Sequence, residues 1–224
     1  LTQRTRSGAA NALPVAADYD GDGKADLAVF DAGAWLIQLS ASGKTRTEEF
    51  GASGDVTVPG DYDGDGKADL AVYHGGNWIW QSSREGVTQT FGLGDVDSVP
   101  VPADYDGDGR TDMAVFRADN WLVQLSAEGR QYGLQLGRKG DVPLAGDFDG
   151  DGKAEPAVWR AAEGALYLSG VVSGVAPEQA FVRLGREQPI SQLQLGDYDG
   201  AGRVELAVWQ ASDVIWRIVK SNRQ

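Results

Sequence analysis

Asp18-Tyr19-Asp20-Gly21-Asp22-Gly23-Lys24-Ala25-Asp26, running into Leu27-Ala28-Val29-Phe30, is the stretch that decides the architecture. The same nine residues return with little change at 61–69, 104–112, 147–155 and 197–205. Each copy leads into an apolar tail: Leu70-Ala-Val-Tyr73, Met113-Ala-Val-Phe116, Pro156-Ala-Val-Trp159 and Leu206-Ala-Val-Trp209. The first aspartates are spaced 43, 43, 43 and 50 residues apart. A fixed period of this size announces a repeat architecture, and about 43 residues suits a unit of four strands.

Four carboxylates within nine residues repel one another unless a cation sits among them. Positions 1, 3, 5 and 9 are predicted to turn inward on a tight loop, with the carbonyl of position 7 as a further oxygen. An all-oxygen, flexible, multi-carboxylate cage favours calcium over magnesium. The chain has no Cys and one His, which excludes zinc and iron–sulfur sites. The expected ligands in the first loop are Asp18, Asp20, Asp22 and Asp26, with the Lys24 carbonyl. In the second they are Asp61, Asp63, Asp65 and Asp69, with Lys67. In the third they are Asp104, Asp106, Asp108 and Asp112, with Arg110. In the fourth they are Asp147, Asp149, Asp151 and Glu155, with Lys153. The fifth keeps Asp197, Asp199 and Glu205, with Arg203, but Ala201 replaces one carboxylate. Three or four strong calcium sites and a weak fifth follow. An EF-hand is rejected, because its twelfth position needs a bidentate Glu and here it is Val29, Val72, Val115, Val158 and Val208.

The charge has a local origin. The formal net charge is −13, and the five loops hold 19 of the 33 acidic residues. Setting those aside leaves 14 acids against 20 Lys and Arg. No basic stripe marks a nucleic-acid surface, and no stretch approaches the ~20 apolar residues of a membrane span. The chain begins at Leu1, and the expectation is either a removed signal peptide or a domain cut from a larger protein, for instance a secreted one. Low-affinity calcium modules work at roughly 0.1–1 mM, which favours the extracellular space, with the cell surface or periplasm as alternatives.

The second unit reads strand by strand. Val56 to Gly60 leads into the loop, Asp69 to Tyr73 leaves it, Asn77 to Gln81 returns and Gly86 to Phe91 is the fourth segment. Turn residues stand between them. Four-stranded units repeated radially make a β-propeller. The prediction is an all-β, five-bladed propeller of antiparallel strands, one domain over residues 1–224. By the 43-residue offset, residues 1–7 align with a fourth strand, and the last unit stops after its third at Val219. The N-terminal strand is therefore expected to complete the last blade. The long final step reads as an extended loop around Ser169 to Gln179.

The Asp-x-Asp-Gly-Asp-Gly-x-x-Asp loop followed by Leu-Ala-Val resembles the FG-GAP/VCBS repeat. That repeat is found in the propeller of integrin α subunits and in many secreted bacterial and fungal proteins. Phe50-Gly51, Phe91-Gly92 and the Val58-Pro59 before the loop match its name elements, and Leu136-Gly137 and Leu184-Gly185 stand in later. The resemblance implies calcium in the loop joining the first and second strands of each blade, on one face of the disc. Five blades is a departure from the seven or eight more usual in that family.

Trp35, Trp78 and Trp121 each lie 17 residues after the first Asp of their unit. They either pack between blades or stack a sugar; units four and five carry Gly164 and Val214 at that offset. His74 reads as a solvated loop residue. No Gly-x-Ser-x-Gly or His-rich cluster points to catalysis. The expected function is a non-catalytic extracellular binding or adhesion module for a protein or glycan ligand. A lectin is the alternative, and a polysaccharide-active enzyme a more distant one. The loop from Gly170 to Gln179 is the expected protein-specific binding element.

Overall fold

The Leu-Ala-Val tails form the second strand of each blade because they alternate small and large apolar residues between two glycine-rich turns. The computed structural model describes residues 12–169, 180–183, 192–210 and 215–219. The first blade contains β1 (Leu13–Pro14), β2 (Leu27–Asp31), β3 (Ala34–Gln38) and β4 (Thr45–Glu49). The second contains β5 (Val56–Thr57), β6 (Leu70–His74), β7 (Asn77–Gln81) and β8 (Thr88–Gly92). The third contains β9 (Val99–Pro100), β10 (Met113–Arg117), β11 (Asn120–Gln124) and β12 (Gln131–Gln135). The fourth contains β13 (Val142–Gly146), β14 (Glu155–Arg160), β15 (Ala165–Leu168) and β16 (Ala180–Arg183). In the fifth the described strands are β17 (Gln192–Gly196), β18 (Glu205–Gln210) and β19 (Ile215–Val219).

Each sheet is an antiparallel meander with its strands in sequence order. This is the expected five-bladed propeller. Closure of the last blade by residues 1–7 lies outside the described residues, as does the Gly170–Gln179 loop. The first strand is only two residues long in each of the first three blades, whether Ala16, Pro59 or Pro102 stands just beyond it. In all three the pairing resumes as a single bridge, Ala17 to Asp26, Gly60 to Asp69 and Ala103 to Asp112.

The core lies between blades rather than within them. Phe30, Trp35 and Ile37 of the first blade pack with Leu70 and Val72 of the second. Tyr73 and Trp78 pack with Met113 and Val115 of the third. Phe116 and Trp121 meet Val158 and Tyr167 of the fourth, and Trp159 and Leu166 meet Leu206 and Val208 of the fifth. Successive blades thus share one apolar layer, which is how a repeat unable to bury its own face becomes stable.

Two alignments are corrected by the register. The residue matching Trp35, Trp78 and Trp121 in the fourth blade is Leu166, not Gly164, since Trp159 pairs with Leu166 as Phe116 pairs with Trp121. In the fifth blade Trp216 pairs with Trp209, so Trp216 takes that place rather than Val214. The cause is turn length: two residues join the second and third strands in blades one to three, and four (161–164) do so in blade four. The second correction concerns the Phe-Gly element. Phe91-Gly92 ends β8, whereas Leu93-Gly94 repeats the geometry of Phe50-Gly51. Phe50 N–H donates to the Gly33 carbonyl and Leu93 N–H to the Gly76 carbonyl, both at 2.8 Å. Gly51 and Gly94 have positive φ, and Gly92 does not.

Candidate metal-binding loops

The five acidic loops fold by the same internal hydrogen bonds. The position-1 Asp accepts from the backbone of both loop glycines: Asp18 Oδ1 from Gly21 N–H and Oδ2 from Gly23 N–H, each at 2.7 Å. Asp61, Asp104, Asp147 and Asp197 do the same. Both glycines have positive φ throughout (Gly21 at 80° and Gly23 at 82°), a region costly for other residues. Position 3 accepts from the N–H of position 5, as Asp20 does from Asp22. In the four loops with a position-5 acid, that acid accepts from position 7.

Position 9 is a clamp as well as a candidate ligand. Asp69 Oδ2 accepts from Tyr62 N–H at 2.9 Å and Oδ1 from Ser83 N–H at 2.6 Å. Asp26 and Asp112 make the equivalent pairs. The loop is thereby tied to the turn between the third and fourth strands. Among the described residues Glu155 and Glu205 keep only the first bond, to Phe148 N–H and Tyr198 N–H, and their buried Oε1 atoms have no donor there. Asp106 Oδ2 is also buried without a donor: Leu125 stands where Ser82 donates to Asp63, and the backbone bond that Ala41 N–H gives Asp20 Oδ2 is not repeated. A buried acceptor left bare is unfavourable, and a cation would satisfy it.

Burial dominates the electrostatics of the closing acids in the second, third and fourth loops. It pushes Asp69 up to about 6 and Glu155 up to about 7, the latter reinforced by Asp149, Asp147 and Asp151. Burial also raises Asp112. Within each loop, carboxylate oxygens gather to within 4.8 Å of one another. The sets are Asp18, Asp20 and Asp22; Asp61, Asp63 and Asp69; Asp104, Asp106 and Asp108; Asp147, Asp149, Asp151 and Glu155; and Asp197, Asp199 and Glu205. The fifth loop keeps a three-carboxylate set despite Ala201. All five clusters could hold a metal ion, and the oxygen-only donor set with bare buried acceptors fits a hard cation.

Sequence reasoning missed that the loops are chained. In loops two to five the position-8 N–H donates to the position-1 carbonyl of the loop before it. Ala68 N–H reaches Asp18 O and Thr111 N–H reaches Asp61 O at 2.6 Å. Ala154 N–H reaches Asp104 O and Val204 N–H reaches Asp147 O at 2.7 Å. The position-7 side chain also crosses the preceding loop. A Cβ on Gly21 would lie 3.0 Å from Lys67 Cγ, one on Gly64 2.6 Å from Arg110 Nε, and one on Gly107 3.1 Å from Lys153 Cγ. Every copy has Lys or Arg at position 7, which is the sequence signal of this crossing.

The three tryptophans do not face a ligand. Trp35, Trp78 and Trp121 are 0%, 1% and 1% exposed. Phe30, Tyr73 and Phe116 cover them at centroid distances of 5.2–5.5 Å. The sugar-stacking expectation is corrected: these rings fill the gap between blades. Tyr19, Tyr62 and Tyr105, at loop position 2, are buried, and each hydroxyl donates to the carbonyl four residues upstream. His74 is not a free loop residue. It ends β6, with Nδ1 2.7 Å from Asp55 Oδ1. Arg117 and Arg160 hold the same place in the next two blades, paired with Asp95 and Asp97 and with Asp141.

Comparison with known proteins follows this geometry. Residues 18–72 and 61–115 match the family model of the FG-GAP-like repeat. No curated protein matches the sequence. Among solved structures, an Agrocybe aegerita lectin recognising non-reducing terminal N-acetylglucosamine is 14% identical, with a TM-score of 0.65. The match covers 94% of this chain but 66% of the lectin, just under two thirds of its length. Inactive virginiamycin B lyase from Staphylococcus aureus, with quinupristin, is 12% identical at a TM-score of 0.60, covering 99% of this chain and 74% of the lyase. A protein of unknown function from Bacteroides caccae is 12% identical at 0.53, covering 92% and 74%. At these identities the likeness shows the fold alone.

Proposed function

We propose that this chain of FG-GAP-like repeats in a five-bladed propeller is a non-catalytic, calcium-stabilised binding module acting outside the cell. The observation that carries the reading is the row of acidic loops, each folded around inward carboxylates and hydrogen-bonded to the next. Calcium in each loop would be held by the position 1, 3, 5 and 9 carboxylates and would supply charge neutralisation, locking the loop row into a rigid platform. The fifth loop, with one carboxylate fewer, binds more weakly. A protein or glycan ligand docks on the disc; in its favour, loops on a rigid scaffold are where binding residues concentrate. A glycan is the second reading, supported by the charged cleft described below. Among the described residues no helix is long and apolar enough to cross a membrane.

Calorimetric titration of chelated protein tests the calcium reading. Three or four strong sites and a weaker fifth are expected; five equivalent sites, or none, refute it. At ten times its dissociation constant, each site adds about 1.4 kcal/mol by mass action. EDTA should therefore lower the melting temperature, with poor rescue by magnesium. Hydrolysis or lysis of a polysaccharide by the purified chain would overturn the non-catalytic reading.

A further inference from the structure

We propose that a cavity of about 480 Å³ at the junction of the third and fourth blades binds a sugar-sized, hydroxyl-rich ligand through Arg138, Arg183 and Glu163. The site deepens the binding-module reading and rests on it, but not on metal occupancy of the loops. It lies on the other face of the disc, where the turn between second and third strands meets the link from the preceding blade.

The cavity exists because the repeat is broken there. The second-to-third turn of the fourth blade is two residues longer than in blades one to three, and the extra length carries Glu163 over the cleft. Its floor is rigid. Arg160 is 11% exposed at its side chain. It donates from Nε and Nη2 to Asp141 at 3.1 and 2.9 Å, and from Nη1 to Glu163 at 3.3 Å. The guanidinium also stacks 4.3 Å over the Tyr167 ring, and the Tyr167 hydroxyl bonds Glu163. Glu163 is thus oriented from two sides.

The other two arginines make only long ion pairs with Glu163. Arg138 and Arg183 are 67% and 62% exposed at their side chains and approach Glu163 only at 3.7 and 3.9 Å. Those separations are too long for hydrogen bonds, and neither guanidinium has another partner among the described residues. Arg117 on the third blade, by contrast, is engaged by Asp95 and Asp97. Two donor forks with no hydrogen bond among the described residues therefore face each other across one fixed carboxylate.

Charge and polarity indicate the ligand class. With Arg160 matched by Asp141, Arg138 and Arg183 share the lining with Glu163 and Asp119, so the wall is balanced. Gln135 adds both a donor and an acceptor. Hydroxyls both donate and accept, so a polyol fits alternating arginines and carboxylates. Tyr167 is buried beneath Arg160 and leaves no apolar platform for a flat hydrophobic ligand. The volume falls within the range of small-molecule sites, about 300–1,000 Å³.

The test is saturation-transfer NMR and calorimetry on the whole chain in calcium. The probes are methyl glycosides of glucose, mannose, galactose, N-acetylglucosamine and glucuronic acid. At least one glycoside should bind. Arg138→Ala and Arg183→Ala should each weaken it roughly tenfold or more, as expected for a lost charge-assisted hydrogen bond. Arg138→Lys, which keeps the charge but loses the fork, should weaken it too, and Arg84→Ala, on the acidic-loop face, should not. Preference for the glucuronide would place a carboxylate on the forks, and parity with neutral sugars would place hydroxyls there; both support the site. A normal calcium isotherm with no glycoside bound refutes the cavity and leaves the metal loops standing. Binding that survives both alanine substitutions refutes it as well. Sugar binding lost with Arg138 and Arg183 in a protein that binds no calcium would sink the calcium reading alone.

Discussion

Replacing Gly51 by alanine tests how closely neighbouring blades are fitted. Gly51 has φ of +82°, and an added Cβ would lie 2.8 Å from Val72 Cγ1 and 3.2 Å from Asp55 Oδ2. Val72 is 1% exposed in the layer shared by the first two blades, so it cannot swing into solvent. The left-handed conformation costs a non-glycine residue about 1–2 kcal/mol, and forcing extra volume into a packed core about 1–3 kcal/mol. Gly51→Ala should therefore destabilise by about 2–5 kcal/mol. Gly54 is the internal control: its φ is +90°, yet a Cβ there meets nothing within 4 Å. Gly54→Ala should cost only the backbone part, about 1–2 kcal/mol. Urea unfolding followed by tryptophan fluorescence in saturating calcium measures both, and in a chain of this size each kcal/mol moves the melting temperature by about 2–4 °C. Adding Val72→Ala to Gly51→Ala should relieve the contact, so the double variant loses less than the two single losses together, by about 0.5–3 kcal/mol. Equal losses at Gly51 and Gly54, or strict additivity with Val72→Ala, would refute the argument.

Trp78→Ala should cost about 3–5 kcal/mol, because the ring is buried against Tyr73 and Tyr62; a melting temperature within error of wild type would show that it does not pack between blades. Tyr105→Phe removes the 2.8 Å bond to the Val101 carbonyl and should cost about 1 kcal/mol, read from the same urea curves. The chelated protein should lose stability as pH rises from 5 to 7. Burial raises Asp69 to about 6 and Glu155 to about 7, so the folded chain holds more protons there than the unfolded chain, and that contribution disappears as they ionise. Melting in EDTA across that range checks the sign, and a steady rise in melting temperature would contradict it. Asp69→Ala should abolish calcium binding at the second loop and also lower stability in EDTA, since Tyr62 N–H and Ser83 N–H lose their acceptor; an unchanged EDTA melt would mean that the clamp contributes nothing.

Much of this protein is decided within short windows of its sequence. The carboxylate spacing from Asp18 to Asp26 and the glycines at 21 and 23 act mainly through bonds that span five residues or fewer, with the position-9 clamp and the bonds from Ser40 and Ala41 reaching further. The 43-residue step and the alternation in Leu70 to Tyr73 similarly name the strands, their order and the five blades. Such features are legible because the atoms that enforce them are neighbours along the chain. What the tertiary structure alone decided depends on residues brought together from different repeats. Trp35, Trp78 and Trp121 became core because the next blade covers them, which no local pattern distinguishes from a ring left open for a ligand. The hydrogen bonds from one loop to the last, such as Ala68 N–H to the Asp18 carbonyl, join backbone groups about fifty residues apart and have no side-chain signature. The two extra residues before Ala165 are visible in the sequence only as a drift in alignment; folded, they set Leu166 in the place of a tryptophan and bring Glu163 between Arg138, Arg160 and Arg183. A repeat can be read from its period, but a departure from the repeat acquires its chemistry from the neighbouring blade it is packed against.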